Sequence, residues 1–399
     1  MLGPNRAPDT PPDEVVLLTP ASIAAMRKCS IFTFHSLECT DMGLENQHDS
    51  PAAPEEPHQD VQEILNRPSS LRKIGATMRG FAREEEAREI GNLVFSFLHQ
   101  FGKFLDLERL DAVTIAFDYD EALSQVKQGL VRETTLTKTQ DEFAVGVAMT
   151  PVVMRDGKPY LHMVINAALV YCLKDHLDSP EAKLAIHSLA HEAAHVHDLA
   201  QQDRAFPGFY GTVITDYREA TLLNMAHGWW EEYIASRLSA GFGDIPERMS
   251  YFEATFCSAL ESARKRGNAA IIAYRRHKAV EQLVPELVAI YGKALEYGAY
   301  LLGHSDGLGL RIEEAASKAH TLVQETGYFR PIFERFTAEV RKMHENYGRW
   351  QSLKVCDGLK EVAEALLNAA GIAFRKLPDG KYWVSVPCTA ETIPWPWLA

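Results

Sequence analysis

The sequence is short of cysteine, of basic residues and of long apolar runs, and each shortage closes off a class of protein. Six cysteines are scattered over 399 residues without a C-x-x-C pair. That spacing excludes zinc ribbons and thioredoxin-type motifs and fits reduced thiols in a cytoplasmic compartment. Lysine and arginine number 41 against 54 acidic residues, a net charge of −13. Such a surface repels phosphate backbones and anionic bilayers, so neither nucleic acid nor a membrane is expected as a partner. The most apolar windows, such as GNLVFSFLHQFGKFL, are broken by polar residues well short of the roughly 18 consecutive apolar residues of a spanning helix. MLGPNRAPDT likewise lacks the basic-then-apolar order of a secretory signal.

What is present is ordinary globular material, 46% hydrophobic and 24% charged, enough for two domains or for one large domain divided by a cleft. Residues 1–65 are rich in proline and acid, as in DSPAAPEEPHQD, and read as a disordered or weakly ordered tail. Helical spacing is expected from SSLRKIGATMRGF onward, with Ser69 or Ser70 as N-cap. DAVTIAFDY then reads as a strand, and EFAVGVAMTPVVMRDGKPYLHMVINAAL as two β runs turning at Asp156-Gly157-Lys158-Pro159. After them Ser179 and Pro180 open a helix, a second helix starts near Tyr217 and ends near Gly241 and Gly243, and most of 247–370 is helical by period. IAFRKLPDGKYWVSV closes the chain as a hairpin turning at Pro378-Asp379-Gly380. The expected organisation is a tail over 1–65, a core over 66–245 and a helical region over 246–399 ending in that hairpin, within an α+β, predominantly helical fold.

The stretch HSLAHEAAHVHD, 187–198, gathers four of the 15 histidines into one helix. His187, His191 and His195 recur every fourth residue and share a face, whereas His197 points elsewhere. Within that row His191-Glu192-Ala193-Ala194-His195 is an H-E-x-x-H pattern, in which two imidazoles one turn apart reach a single Zn2+. Glu192 is then placed beside the metal as the base for a bound water. A shuffled chain of this histidine content holds the pattern on the order of a few per cent of the time, so its helical setting directly after a hairpin carries much of the weight.

A catalytic zinc site needs a third protein ligand. Glu232 follows His195 after 36 residues, beside a helical stripe of Leu222, Ala226, Trp229, Trp230 and Tyr233. Gly228 and Ser236, one turn away on either side, invite close packing of another helix. Glu231 is turned further from the stripe and stays open as an alternative, as does Asp216.

HEAAH followed by EEYIAS resembles the zincin metallopeptidases, and among them the gluzincin branch, over about residues 140–240. The resemblance implies a small sheet-bearing upper lobe and a helical lower lobe with zinc between them. It implies His191, His195 and Glu232 as ligands, Glu192 as general base, and hydrolysis of peptide bonds in a peptide or protein substrate. Ser236 stands where such families often carry an aspartate. GTVITDY is similar to a stretch of the aspzincin branch, which would make Asp216 the ligand and Tyr217 its neighbour. Gln201 occupies the place of the third histidine of metzincins and excludes that branch.

Asp198 is a candidate to orient His195 from the next turn, while His187 flanks the row. Tyr217, Tyr233, Tyr297, Tyr300, His304 and Tyr328 are all available to stabilise an oxyanion. Two further readings stand beside the peptidase: a regulatory or binding protein of zincin fold with little or no turnover, and a metal-free helical scaffold.

Overall fold

The structure is a computed structural model that describes residues 63, 66–130, 135–138, 140, 142, 143 and 146–393. The tail expected over 1–65 lies outside them, residue 63 apart.

The N-terminal half builds a mixed sheet. In chain order it comprises β1 (Gly75–Arg79), α1 (Glu84–Phe101), β2 (Leu110–Ala116), α2 (Tyr119–Ser124), β3 (Ala148–Met149), β4 (Val152–Arg155) and β5 (Lys158–Asn166). β1, β2 and β5 run parallel, and β3 and β4 both lie antiparallel along the other side of β5, forming that edge. Both faces of β5 are covered: Met163 and Ile165 pack with α1, while Val164 packs with Met149, Val153 and the Tyr119 ring of α2. Two-sided burial is why VTIA and MVI read as continuous apolar runs rather than alternating ones.

The β4–β5 turn is Asp156-Gly157, both at positive φ (49° and 75°), the two-residue hairpin connection that matches strand twist. Lys158 and Pro159, expected in the turn, already belong to β5. The expected helix from Ser69 is corrected more substantially. GATMR is strand β1, and the helix starts only at Glu84, with Arg83 at its N-cap and no side-chain capping bond. β1 is held by pairing with β2, a long-range contact that local periodicity does not reveal. Ser70 accepts from Leu107 N–H (2.9 Å) and donates to the Leu105 carbonyl (2.6 Å), fastening the chain to the end of α1.

Helices follow: α3 (Pro180–Ala205), α4 (Tyr217–Ser239), α5 (Ile245–His277), α6 (Val280–Leu287), α7 (Lys293–Gly307), α8 (Ser317–Glu325), α9 (Arg330–Glu345) and α10 (Asp357–Ala369). A π turn over Val288–Gly292 joins α6 to α7, and β6 (Ala373–Lys376) with β7 (Tyr382–Ser385) forms the expected closing hairpin. About 60% of the fold is helical, so it is α+β with helix predominating. No helix among the described residues is long and apolar enough to cross a membrane.

Two large hydrophobic cores flank the histidine row, and a smaller third lies under α2. The sheet, α1 and one face of α3, through Leu189, Ala193 and Val196, share the first. α4 shares the second with α5 to α10, through side chains such as Trp229, Tyr233, Phe256, Leu301 and Phe336. α3 and α4 therefore meet at the seam between the cores, and the histidine row lies on that seam.

Candidate metal centre

α3 begins where the sequence places it. The Ser179 side chain accepts from Ala182 N–H (3.1 Å), and Pro180 follows at a position whose missing N–H costs nothing. The small residues Ala190, Ala193 and Ala194 keep the helix slim while its apolar face is committed to the sheet, so the histidine face is turned to α4. α4 begins with the Asp216 side chain accepting from Glu219 N–H (3.0 Å). Its stripe of Leu222, Ala226, Trp229, Trp230 and Tyr233 is buried throughout, as a core-facing surface requires. Trp229 also donates its indole N–H to the Gly292 carbonyl in the π turn (2.8 Å), fixing the rotation of α4.

That rotation brings Glu232 onto the histidine row. His191 Nε2 lies 3.0 Å from His195 Nε2 and 3.2 Å from Glu232 Oε2, and the remaining edge of the triangle, His195 Nε2 to Glu232 Oε2, is 3.7 Å. Ligands about 2.05 Å from a tetrahedral zinc stand about 3.3 Å from one another. The three edges straddle that value, so the donor set fits a zinc ion in both chemistry and spacing. Burial keeps both imidazoles neutral: His195 is pushed down to about 4 and His191 well below the usual histidine range. Neutral imidazole is the form a metal ligand needs. Among the described residues these three form the cluster able to hold a metal, their donor atoms within 4.8 Å of one another.

Glu192 stands beside the triangle and is fully buried. Its Oε2 accepts the hydroxyl of Thr150 (2.8 Å), while its Oε1 has no protein partner. Burial raises its carboxyl to about 8, the Thr150 hydrogen bond pulls the other way, and the charge of Glu232 adds to the rise. A carboxyl balanced near neutrality can both take and return a proton. Thr150 sits between β3 and β4, so the sheet edge and the base are tied by one hydrogen bond.

The remaining candidates are placed as follows. Glu231 turns away to His227, its carboxylate 3.2 Å from Nδ1. Asp216 is occupied as the N-cap of α4 and also accepts from Tyr382 (2.9 Å) and Lys376 (3.3 Å) in the closing hairpin, outside the cluster of three. Tyr217 packs edge-on against Phe374 of that hairpin. Asp198 is buried one turn beyond His195, accepting from Gln202 (2.7 Å) and Trp230 (3.3 Å), and burial pushes its carboxyl up to about 7. Gln202 in turn accepts from Tyr210 (3.1 Å) and His227 (2.8 Å), a polar network that cross-links α3 and α4 below the cluster. His187 lies one turn before His191, with Nδ1 3.1 Å from the Phe242 carbonyl. His197 points away as expected, its Nδ1 accepting from Asp106 N–H (2.8 Å).

Of the rings open for oxyanion duty, Tyr233 donates to Asp306 (2.8 Å), Tyr328 packs against Tyr291 and Phe329, and Tyr297 meets Phe143. His304 packs on Phe252 and His187. Tyr300 alone of the six has a ring contact with a triangle residue, stacked on His191 with centroids 5.6 Å apart.

Close packing near Glu232 occurs on one side of it. A Cβ built on Gly303 of α7 would fall 3.1 Å from Ser236 Cβ, whereas one on Gly228 would meet nothing within 4 Å. Thr150 and Gly303 escaped the sequence reading. Neither carries a local motif, and both act through partners far along the chain. No protein-family model, curated protein or solved structure matches this chain.

Proposed function

We propose that the protein is a zinc-dependent metallopeptidase with a zincin-like core of the gluzincin type, its ligands His191, His195 and Glu232 and its general base Glu192. The observation that carries this reading is the buried Nε2, Nε2, Oε2 triangle with edges of 3.0–3.7 Å beside a carboxylate with one unpartnered oxygen. When bound, zinc lowers the pKa of a water towards about 7 and polarises a carbonyl. The chain supplies the rest. Two neutral imidazoles, His191 and His195, and the Glu232 carboxylate would hold the ion. Glu192, held at Oε2 by Thr150, offers Oε1 to accept a proton and later return it to the leaving amine. β3, on the sheet edge next to Thr150, offers main-chain groups with which an extended peptide pairs, while β4 is already bridged there by Met154 N–H to the Gln128 carbonyl (2.7 Å). A peptide or protein substrate and a cytoplasmic location accompany this reading.

One observation favours a second reading. His191 and Glu192 have no exposed surface, and His195 and Glu232 are only 6% and 3% exposed, as suits a zinc-holding regulatory protein of the same build with little or no turnover. Zinc content and hydrolysis of an unfolded protein substrate, measured on tag-free parent, Glu192→Gln and Glu232→Ala, separate the possibilities. The expected result is zinc with turnover in the parent, zinc without turnover in Glu192→Gln, and loss of zinc in Glu232→Ala. Zinc without turnover in the parent selects the regulatory reading. A parent free of zinc overturns both and leaves the helical scaffold.

A further inference from the structure

We infer that Tyr300 is a positioning residue for His191, an inference that rests on the metal-site reading above. Tyr300 lies on α7, a helix that contributes no metal ligand, and is 2% exposed. Its ring is nearly parallel to the His191 imidazole, with centroids 5.6 Å apart and planes inclined by 16°. Behind it Phe252 of α5 stacks in turn, at 5.6 Å and 27°. An imidazole, a phenol and a phenyl ring thus form one pile running from α3 through α7 to α5.

The pile adds a contact from outside α3. One turn from His191 on its own helix stand His187, Ser188, Ala194 and His195; Ser188 and Ala194 are too small to restrain an imidazole about χ2, and His195 meets the ring edge-on. A ring free to swing carries its Nε2 out of line with the other donors. His195 approaches His191 edge-on, at 77° and 4.7 Å, so the plane of His191 also sets the edge between the two Nε2 atoms. Stacking on Tyr300 adds a restraint on this plane from α7. Gly303, three residues along α7, lets that helix come close enough to α4 for the tyrosine to reach it.

The same helix provides the control. Tyr297 is also buried, at 4% exposed, but its ring meets Phe143 and Tyr300, and no ring contact joins it to His191. Removing its ring perturbs α7 and the flank of Tyr300 while leaving the Tyr300 ring itself against His191.

The test is zinc affinity by competition with a chromophoric chelator, together with the visible spectrum of the cobalt(II)-loaded protein, for tag-free parent, Tyr300→Phe, Tyr300→Leu and Tyr297→Leu. Tyr300→Phe keeps the ring face and is expected to match the parent in cobalt spectrum and to within about twofold in affinity. Tyr300→Leu is expected to bind zinc about tenfold or more weakly, the usual scale for losing a group that orients a ligand, with a shifted cobalt band. Tyr297→Leu is expected to stay near the parent. Parent-like affinity in Tyr300→Leu overturns the inference. So does an equal loss in Tyr297→Leu, which would show general loosening of α7, or in Tyr300→Phe, which would assign the effect to the hydroxyl. All three leave the metal site itself standing. A parent that takes up neither zinc nor cobalt overturns the metal-site reading and this inference with it.

Discussion

Replacing Gly303 by alanine tests how α4, the helix that bears Glu232, is held against α7. The added methyl would sit closer than 3.0 Å to the Tyr233 carbonyl oxygen, 3.0 Å from its carbon and 3.1 Å from Ser236 Cβ, against ordinary contacts of 3.4–4 Å. Two of these three neighbours are main chain and cannot rotate aside, so α7 and α4 must part by a substantial fraction of an ångström. Overpacking of this kind costs about 1–3 kcal/mol, while exchanging a helical glycine for alanine returns up to about 1 kcal/mol. The net expectation is a loss of about 1–2 kcal/mol, or a few degrees in melting temperature.

The displaced carbonyl belongs to the residue after Glu232, so the proposed third ligand moves with it. Zinc affinity is expected to fall about tenfold or more, the scale seen when a ligand loses its support. Gly228→Ala on α4 is the matched comparison: its Cβ meets nothing within 4 Å, so it should stabilise by about 0.5–1 kcal/mol and leave zinc binding alone. The assay is thermal unfolding with and without zinc, paired with chelator competition. If Gly303→Ala melts and binds zinc like the parent, the close approach of α4 and α7 is refuted.

Three other outcomes are expected. Burial depresses His187 and His191 well below the usual histidine range and holds His195, His197 and His304 at about 4. The stability these neutral rings contribute is therefore complete above about 6.5 and is lost as pH falls towards 4, at up to about 1.4 kcal/mol per pH unit for each ring. The urea midpoint of chelator-treated protein should drop steeply between pH 6.5 and 5, and a flat profile would contradict the buried neutral cluster. Asp216→Ala should cost about 1 kcal/mol through loss of the cap and keep its full zinc content by elemental analysis; lost zinc would make Asp216 a ligand. Thr150→Val should destabilise the metal-free protein by about 1–2 kcal/mol by leaving a buried carboxyl oxygen unpaired. Thr150→Ser, which keeps the hydroxyl, should lose less, and equal urea midpoints for the two variants would deny that bond any weight.

The parts of the molecule that announced themselves in the sequence are those fixed by neighbours close in the chain. Ser179 and Pro180 opened α3, Asp156-Gly157 turned the hairpin, and the stripe from Leu222 to Tyr233 oriented α4 closely enough to single out Glu232 over Glu231. What stayed hidden depends on partners far away. β1 takes its strand form from β2, Thr150 matters because Glu192 lies 42 residues on, and Gly303 matters only when α4 lies against it. Gly228 shows the converse, since a small residue beside a functional one invited a close neighbour that the fold places at Ser236 instead.

The clasp between the closing hairpin and the first turn of α4 has a consequence for the order of biosynthesis. Asp216 is gripped by Tyr382, a residue 166 positions later. On the ribosome the helix bearing Glu232 is complete long before its fastener has been made; its leading turn has its own cap at first and, once α10 is made, the pairs Arg218–Glu364 and Glu219–Lys360. A nascent chain halted ahead of β6 would carry His191, His195 and Glu232 and still lack the hairpin's latch on the helix that bears Glu232.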